Sequence, residues 1–442
     1  MQVLIVGSGG REHALAWKLA QSPSITHIYC APGNGGMRQT PKCQLVPMSA
    51  DDLEGLLRFA TVQGIGLTVV GPEIPLVAGI VDRFQAARLP IFGPTQAAAQ
   101  IEGSKAWAKA LMQEAGIPTA SYQVFEDKAT ALVYLETQPL PVVIKADGLA
   151  AGKGVTVAQT LAEACEAVEG LFAASPGQSV VIESFLPGEE VSVLALCDGE
   201  ICRPLLPIQD HKRVGEQDAG ANTGGMGAFG PVHRVVSPAQ MEVIQDRILD
   251  PTLAALKKRG IRYQGVLYAG LMISPDGDPV VLEFNCRFGD PETQVLMPLL
   301  DTPLEELLLA CVQGRLESVN LKWRPGMAAC VVMAALGYPG SYERGKPITG
   351  LESATATSDQ LALFHAGTRT VFPPTQLGRP TVPQLVTDGG RVLCVSGWGD
   401  SLPEALDRAY AGVKEVEFEG SHYRSDIGWR ELAAQNLIPG SH

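Results

Sequence analysis

The chain has no long apolar segment. The longest unbroken apolar run covers residues 327–336, ten in all, whereas a membrane-spanning helix needs about 20. Met1 and Gln2 lead directly into the short apolar stretch 3–6, without the basic start and longer apolar region of a secretory signal. The sequence therefore predicts a soluble, cytoplasmic protein.

Cysteine is present, but not in the patterns typical of metal or disulfide sites. The nine cysteines are odd in number, and no two are spaced as C-x-x-C. A disulfide framework and a zinc ribbon are therefore not expected. Most of the cysteines are predicted to be small core residues in a reducing compartment.

Positive charge is scarce as well. Lys and Arg number 34 against 47 Asp and Glu, which gives a net charge of −13. A chain this acidic binds nucleic acid and anionic membranes poorly, so neither is an expected partner, although local basic pockets for phosphates are compatible with it. The length of 442 residues and the 46% hydrophobic content predict about three globular domains.

Short apolar stretches alternate with amphipathic ones along the first hundred residues. This pattern predicts strands at 3–6, 28–30, 67–70 and 91–92 and helices at 12–20, 51–60 and 77–87. Strands that alternate with helices indicate a parallel sheet with helices on its faces. Farther along, strands at 266–273 and 280–284 flank a D-G turn, which is a hairpin signal. The last unit is predicted to have strands at 328–336, 361–366 and 391–396 and a helix at 402–415.

Glycines 7, 9 and 10 lie between the first strand and the first helix, where a phosphate can meet backbone N–H groups. The dinucleotide fingerprint would need a glycine at Glu12, and no acid follows the second strand to bind a ribose. A dinucleotide-dependent oxidoreductase is therefore disfavoured. A monophosphate ligand and a tight turn without a ligand both stay open.

A glycine-rich segment with a lysine at each end, Lys145 and Lys153, joins two predicted strands. A P-loop would need a glycine at Asp147 and Ser or Thr at Gly154, and it would lead into a helix rather than into the β-branched stretch 155–157. As a flap over a triphosphate, this segment would supply N–H groups and two ammonium charges. The alternative is a mobile hairpin with solvated lysines.

Strand alternation places Glu283, Asn285 and Arg287 on one face of a predicted strand. A carboxylate and an amide oxygen two residues apart suit Mg²⁺ that also binds phosphate oxygens, and Arg287 could clamp a carboxylate or a phosphate. The alternative is an exposed, salt-bridged edge strand. Cys286 falls on the core face and is not expected to be a nucleophile.

The segments 210–213 and 222–227 are polar and rich in glycine. A functional role and a plain loop are both open for them. Nothing in the sequence decides whether His211 is a solvated residue or a catalytic one.

With these segments assembled, the chain resembles the ATP-grasp carboxylate–amine ligases, and more closely the phosphoribosylamine–glycine ligase family. The resemblance runs nearly from end to end, with the matching segments in order. It rests on GSGGREHALAWK at 7–18, APGN at 31–34, VGPE at 70–73, IFGPT at 91–95, EGSK at 102–105, VIKADGLAAGKGV at 143–155, QDHKRVG at 209–215, NTGGMGA at 222–228, EFNCRFGDPETQ at 283–294, FHAGT at 364–368 and GGRVLCV at 389–395.

The resemblance implies an α/β fold in four parts. These are a Rossmann-like N-terminal domain at 1–103, a central ATP-grasp domain at 104–121 and 189–326, an ATP-grasp lid at 122–188, and a small C-terminal α/β domain at 327–442. It also implies site residues. The implied catalytic residues are Arg287, Lys145 and Lys153. The implied ATP-binding residues are Lys105, Lys145, Gly152, Lys153, Gly154, Glu183, Phe185, Leu186 and Glu190. The implied substrate-binding residues are Gly9, Gly10, Arg11, Glu12, Glu73, Asp210, Asn222, Gly225, Arg287 and Asp290, and the implied metal ligands are Glu283 and Asn285.

The reaction implied by the resemblance joins glycine to 5-phosphoribosylamine through glycyl phosphate, in de novo purine (IMP) biosynthesis. It consumes ATP and releases ADP, phosphate and glycinamide ribonucleotide. ATP and Mg²⁺ (or Mn²⁺) are the implied cofactors, the partners are small molecules, and the chain is expected to be a monomer or a weak dimer. Two alternatives are another ATP-grasp carboxylate–amine ligase and a non-catalytic nucleotide-binding protein. The second would not need Glu283 and Asn285 together with two flap-end lysines.

Overall fold

The computed structural model describes residues 1–149, 154–175, 177–372 and 383–435. Helices and strands alternate through these ranges, which confirms the α/β class. No helix in the described ranges is long and apolar enough to cross a membrane.

The N-terminal part contains a five-stranded parallel sheet with the order β3-β2-β1-β4-β5. The residues of β1 from Val3 to Val6 are fully buried, as expected for a strand covered by helices on both faces. The elements are β1 Gln2–Gly7, α1 Gly10–Ala20, β2 His27–Pro32, β3 Cys43–Leu45, α2 Leu53–Gln63, β4 Leu67–Val70, α3 Glu73–Val77, α4 Ile80–Ala86, β5 Ile91–Phe92, α5 Gln96–Gly103 and α6 Lys105–Ala115.

The prediction of one helix over 77–87 is wrong. The chain forms α3 and α4 instead, with Gly79 between them at φ +85°. A residue in this left-handed conformation cannot continue a right-handed helix, so the first helix stops and a second one begins.

A small antiparallel sheet with the order β6-β9-β7-β8 forms the next part. It packs on two helices around a core of its own, which includes Ile144, Val168 and Ile182. Strands β7 and β8 pair as a hairpin, and the glycine-rich segment joins them as predicted. The elements are β6 Tyr122–Phe125, α7 Lys128–Leu135, β7 Val142–Ala146, β8 Val155–Ala158, α8 Leu161–Ala174 and β9 Val180–Ser184.

The central part contains a sheet with the order β11-β10-β14-β15. Strands β14 and β15 are antiparallel across the turn 274–278, where Gly277 N donates to Ser274 O, so the predicted hairpin is confirmed. The elements are β10 Glu189–Asp198, β11 Cys202–Pro204, β12 Gln209–Asp210, β13 Gly227–Gly230, α9 Pro238–Ile244, a π-helix Gln245–Leu249, α10 Asp250–Lys258, β14 Gln264–Ile273, β15 Pro279–Asn285, α11 Thr293–Leu299 and α12 Leu304–Gln313.

The C-terminal sheet takes two of its strands from the middle of the chain. Its order is β12-β13-β16-β20-β17, so β12 and β13 extend a sheet made otherwise of C-terminal strands. The elements are β16 Met327–Ala335, α13 Leu351–Ala356, β17 Leu361–His365, β18 Thr368–Val371, β19 Gln384–Thr387, β20 Arg391–Gly399, α14 Leu402–Glu415, β21 Ser421–His422 and α15 Trp429–Ala434; short 3₁₀ turns are Met37–Gln39, Glu216–Asp218 and Leu316–Ser318.

One pair of cysteines forms a disulfide, although no disulfide framework was expected. Cys197 and Cys202 are bonded. They stand opposite each other where β10 turns into β11, so the hairpin register pairs them without a C-x-x-C spacing. The other seven cysteines are free, and five of them are buried in the core as predicted.

Two buried histidines join the N-terminal and C-terminal parts. His13 Nδ1 on α1 accepts a hydrogen bond of 2.8 Å from the backbone N–H of His365, at the end of β17. Asn34 Nδ2 donates to the His365 carbonyl at 2.7 Å. Burial lowers the pKa of His365 from its ordinary value of 6.5 to about 4, and burial together with the nearby His365 lowers the pKa of His13.

The first prediction follows from this pair. Between pH 6.5 and 4 the unfolded chain takes up a proton at His365 that the folded chain refuses, so stability falls as the pH drops through this window. The contribution of His365 reaches about 3 kcal/mol. Urea unfolding at several pH values should show a shallower dependence in His365→Asn than in the natural protein. The control is His27→Asn, because His27 is partly exposed and contacts Gln44. Equal slopes in His365→Asn and the control would contradict the prediction.

Candidate active site

A cavity of about 910 Å³ opens between the N-terminal part, the β7–β8 hairpin, the central sheet and the C-terminal part. Most of the predicted site residues line it, from Arg11, Glu73, Lys105, Lys145, Gly154, Glu183, Phe185, Leu186 and Glu190 to Asp210, Asn222, Glu283, Asn285, Arg287 and Asp290. Gly9, Gly10, Glu12 and Gly225 are not among the lining residues, and Gly152 and Lys153 lie outside the described residues.

Strand β15 supplies the two predicted metal ligands. Glu283 and Asn285 line the cavity, and the alternate residues Phe284 and Cys286 are buried, with Cys286 outside the cavity lining. Burial by itself would raise the pKa of Glu283, but the nearby cations, Lys212 first among them, hold it below its ordinary value. An ionised carboxylate beside an amide oxygen is a donor set that fits a hard divalent cation.

Protein ligands for such a cation are few. Within the described ranges, no group of three or more His, Cys, Asp or Glu side chains is arranged to hold a metal ion. A cation at Glu283 and Asn285 would therefore complete its coordination with water or phosphate oxygens, as Mg²⁺ commonly does.

Three lysines gather beside this strand. Lys145 Nζ lies 3.0 Å from Glu183 Oε2 and donates to Leu282 O at 3.1 Å. Lys109 Nζ contacts the same carboxylate oxygen at 2.9 Å. Burial lowers the pKa of Lys109 to about 8, with Glu183 opposing the shift. Sequence analysis missed Lys109, although its i,i+4 spacing from Lys105 on α6 places both lysines on one helix face.

The base of the flap is tied to the start of α6. The Asp147 carboxylate accepts hydrogen bonds from Ser104 Oγ, Ala106 N at 3.2 Å and Ser179 Oγ at 3.2 Å. Lys105 Nζ donates to Gly148 O at 2.8 Å. The first end of the flap, at residues 147–148, is therefore held against the helix that carries Lys105.

Arg287 is held by carboxylates on two sides. Its Nη2 lies 3.0 Å from Glu102 Oε1 and 3.2 Å from Asn285 Oδ1, and its Nε lies 3.4 Å from Glu73 Oε2. Glu102 also accepts the N–H of Cys286 at 2.7 Å. Burial raises the pKa of Glu102, while Arg287 acts in the opposite direction. The strand is an edge strand with salt bridges, as the alternative interpretation had it, but its polar face lines the cavity.

The loop between β12 and β13 adds a further cation. Lys212 Nζ lies 2.6 Å from Glu190 Oε1, and both residues line the cavity. Burial raises the pKa of Asp210 to about 8, with Lys212 opposing the shift. Lys212 was not among the predicted site residues, although it lies two residues from Asp210 in a segment that was singled out.

His211 fits neither of its two interpretations. It is 2% exposed, so it is not solvated, and it does not line the cavity. Its Nε2 accepts a hydrogen bond of 2.8 Å from Gly428 N. A side chain that alternates with Lys212 points to the opposite side of the chain, and there it contacts the C-terminal segment.

The glycines of the 7–13 loop have a steric role. Glu12 is 1% exposed, accepts the N–H of Gly9 and pairs with Arg11, as a capping box at the start of α1. A Cβ on Gly7, whose φ is +126°, would lie 2.7 Å from Glu12 Cγ and 2.9 Å from Pro72 Cδ. The loop therefore packs around the carboxylate that holds Arg11 at the cavity.

We expect Gly7→Ala to destabilise the protein more than Gly64→Ala. Both glycines have positive φ, but a Cβ on Gly64 would have no atom within 4 Å. Gly64→Ala should therefore lose only the backbone preference, about 1–2 kcal/mol, while Gly7→Ala adds overlap with Glu12 and Pro72. Urea denaturation measures both losses, and equal losses would contradict the steric role.

Family models for phosphoribosylglycinamide synthetase match most of the chain. The N domain matches residues 1–102, the ATP-grasp (A) domain matches 103–293, and the C domain matches 328–430.

Named relatives match over nearly their whole length. A Nostoc protein named phosphoribosylamine–glycine ligase is 56% identical over 434 residues, which cover 97% of this chain and 99% of that protein. A Synechocystis protein of the same name is 52% identical over 434 residues, with coverage of 98% and 100%.

Solved structures share the fold. The crystal structure of phosphoribosylamine–glycine ligase from Thermotoga maritima matches with a TM-score of 0.79 and 35% identity, covering 97% of this chain and 100% of that one. The biotin carboxylase domain of the Hydrogenobacter thermophilus 2-oxoglutarate carboxylase matches with a TM-score of 0.69 over 96% and 91% of the two chains. Its identity is 15%, so this likeness concerns the fold alone.

Proposed function

The chain belongs to the phosphoribosylglycinamide synthetase family, and we propose that it is an ATP-dependent, ADP-forming ligase that joins glycine to 5-phosphoribosylamine. The product is glycinamide ribonucleotide, an intermediate of de novo purine (IMP) biosynthesis. One observation carries the proposal beyond the names of relatives: a single cavity brings together lysines, an ionised Glu283 with Asn285, and Arg287. Enzymes that transfer phosphoryl groups use such cationic side chains and metal ligands to position the phosphates and neutralise their charge.

The lysine side of the cavity is proposed to bind ATP. Lys105 and Lys145, with the flap residues Gly152, Lys153 and Gly154, would hold the phosphates by charge-assisted hydrogen bonds. Phe185 and Leu186 would meet the adenine and Glu190 the ribose. Glu183 is also proposed to bind ATP, and its Oε2 contacts both Lys145 and Lys109.

Glu283 and Asn285 are proposed to hold a divalent cation, Mg²⁺ or Mn²⁺. Such an ion neutralises the charge of the transferring phosphoryl group. The residues fit this task because Glu283 is held ionised by the lysines around it. The remaining expectations also stay with the proposal: a monomer or weak dimer, a cytoplasmic location and the four-part domain division.

The acid and amine substrates are proposed to bind on the opposite side of the cavity. Arg287 would hold the glycine carboxylate in line with the terminal phosphate. The second substrate would be surrounded by Arg11, Glu73, Asp210, Asn222 and Asp290. The wall behind these side chains would be shaped by Gly9, Gly10, Glu12 and Gly225. A carboxylate oxygen of glycine forms a bond to the γ-phosphorus, and the bond from that phosphorus to ADP breaks. The amine then attacks the carbonyl carbon of glycyl phosphate, and phosphate leaves with one glycine oxygen.

No step of this sequence needs a side-chain nucleophile. Cys286 is the cysteine nearest in sequence to Glu283, Asn285 and Arg287. It is fully buried, on the core side of β15. Burial raises its pKa well above the ordinary value, so its thiolate is suppressed. The protein contributes position and charge.

Isotope transfer tests the reaction. Glycine labelled with ¹⁸O in its carboxylate should deliver one labelled oxygen to inorganic phosphate, and ADP release should need both glycine and 5-phosphoribosylamine. Label in AMP would indicate an adenylate route, and no label in phosphate would refute glycyl phosphate. ADP release with a different acid or amine, and not with this pair, would favour another ATP-grasp carboxylate–amine ligase.

Glu283→Gln should lower activity about tenfold or more at limiting Mg²⁺, because it removes the charge of a proposed metal ligand, and loss of even an outer-shell partner at a metal site costs about 10–100-fold. Additional Mg²⁺ should restore part of the activity if metal binding is the defect. The matched control is Glu114→Gln, because Glu114 is exposed and pairs with Arg259. Turnover by Glu283→Gln equal to that of the control at limiting Mg²⁺ would place the metal site elsewhere.

A further inference from the structure

Arg424 is a buried cation that does not line the cavity. It lies between β21 and α15, and its side chain is 1% exposed. Its guanidinium grips both oxygens of Asp426 at 2.8 Å, and its Nη1 donates to Asp218 Oδ1 at 2.8 Å and to the Arg213 carbonyl at 3.1 Å. A bidentate fork on one carboxylate and two contacts to another chain segment fix the planar group in one orientation.

The segment that Arg424 reaches is the loop between β12 and β13, residues 211–226, called here the 211–226 loop. Two consecutive residues in it, Gln217 and Asp218, have φ values of +52° and +58°. L-residues rarely adopt this left-handed conformation, and it persists where surrounding contacts determine it. Both residues are held from the C-terminal segment: Gln217 N donates to Asp426 Oδ2 at 2.7 Å, and Asp218 is held by Arg424.

Further contacts join the same two segments. Arg430 Nη2 lies 2.5 Å from Asp218 Oδ2, and Gly428 N donates to His211 Nε2 at 2.8 Å. The C-terminal segment 424–430 therefore contacts the 211–226 loop at its start, at its left-handed turn and at the backbone of Arg213 between them.

The 211–226 loop also borders the cavity, and so do Asp218 and Arg430 from the contacts just described. Lys212 and Asn222 both line it, and the two arms that carry them are joined by hydrogen bonds from Thr223 N and Thr223 Oγ1 to the Lys212 carbonyl at 2.7 and 2.8 Å. Lys212 Nζ lies 2.6 Å from Glu190 Oε1 across the cavity wall. The Arg213 carbonyl that Arg424 holds is one residue from Lys212.

We propose that Arg424 is a positioning residue of the ligase: through Asp218, Asp426 and the Arg213 carbonyl it holds the 211–226 loop in the strained form that presents Lys212 and Asn222 to ATP and the acid substrate. The inference rests on the proposed function for its substrates. The contacts themselves do not depend on it.

The test compares Arg424→Gln with Tyr410→Phe. Tyr410 OH donates to the Arg424 carbonyl at 2.9 Å and accepts Ile427 N at 3.2 Å, so its loss loosens the same C-terminal segment without removing a contact to the loop. Hydrogen exchange and ATP binding, measured on the full chain without glycine or 5-phosphoribosylamine, are the first two readouts. The kcat and the KM for ATP, measured with both substrates, complete the comparison.

Arg424→Gln should speed exchange of the amides in 212–222 about tenfold or more, the size expected from losing charge-assisted hydrogen bonds. It should also weaken ATP binding and lower kcat/KM for ATP, while Tyr410→Phe leaves all three near the natural values. Arg424→Lys, which keeps the charge but loses the fork, should recover part of the loss. Asp426→Asn weakens the same paired contact by removing the charge of the carboxylate that Arg424 holds. This variant tests the proposal if Arg424→Gln does not fold.

Two results would overturn the proposal. One is unchanged exchange in 212–222 in both Arg424→Gln and Asp426→Asn. The other is an equal loss of ATP binding in Tyr410→Phe at the same unfolding temperature, which would mean that the segment acts only through stability. Absence of ligase turnover in the natural protein would refute the proposed function instead, and the exchange and ATP-binding readouts would still decide the role of Arg424.

Discussion

The balance of buried charge is the constraint on which this site depends. Lys109 and Lys145 share the buried Glu183, and the partly exposed Lys212 faces Glu190, each with an N–O distance of 3.0 Å or less. A buried charge without a partner costs several kcal/mol, so the cations that would meet phosphates must be compensated inside the protein. A polyanion bound in this cavity would pair with the lysines. A metal cation at Glu283 and Asn285 would offset part of the negative charge that the polyanion adds. Positive and negative groups therefore occupy the same cavity.

The arrangement of strands brings these charges together. The lysine of β7, the carboxylate strand β15 and the loop after β12 come from three different sheets, and each carries its polar groups at or near a strand end. Strands β7 and β15 carry Lys145, Glu283 and Asn285, while the loop after β12 supplies Lys212. Because β12 and β13 join the C-terminal sheet, the end of the chain also supports the cavity, and the contacts of Arg424 are one consequence.

The family comparison and the sequence agree on the fold, which is the ATP-grasp α/β class with an N-terminal Rossmann-like part. Local patterns predicted most elements closely: the helix expected at 402–415 is Leu402–Glu415, and the strand at 67–70 is Leu67–Val70. Alternation also assigned Glu283, Asn285 and Arg287 to the polar face. Two features were not predicted because they depend on a single backbone angle and on strand register rather than on hydrophobic periodicity. Gly79 interrupts a helix through its φ, and Cys197 meets Cys202 through a hairpin register.

The sequence by itself determined the periodicity of the elements and the set of polar residues at strand ends, because these follow from backbone geometry. Only the tertiary structure decided which charges are partners. Glu102 meets Arg287 and Glu183 meets Lys109 across 185 and 74 positions of the chain respectively, and Arg424 meets Asp218 across 206. Such pairings are set by how sheets and loops pack, and the pKa of each group depends on the burial and charges that the packing creates.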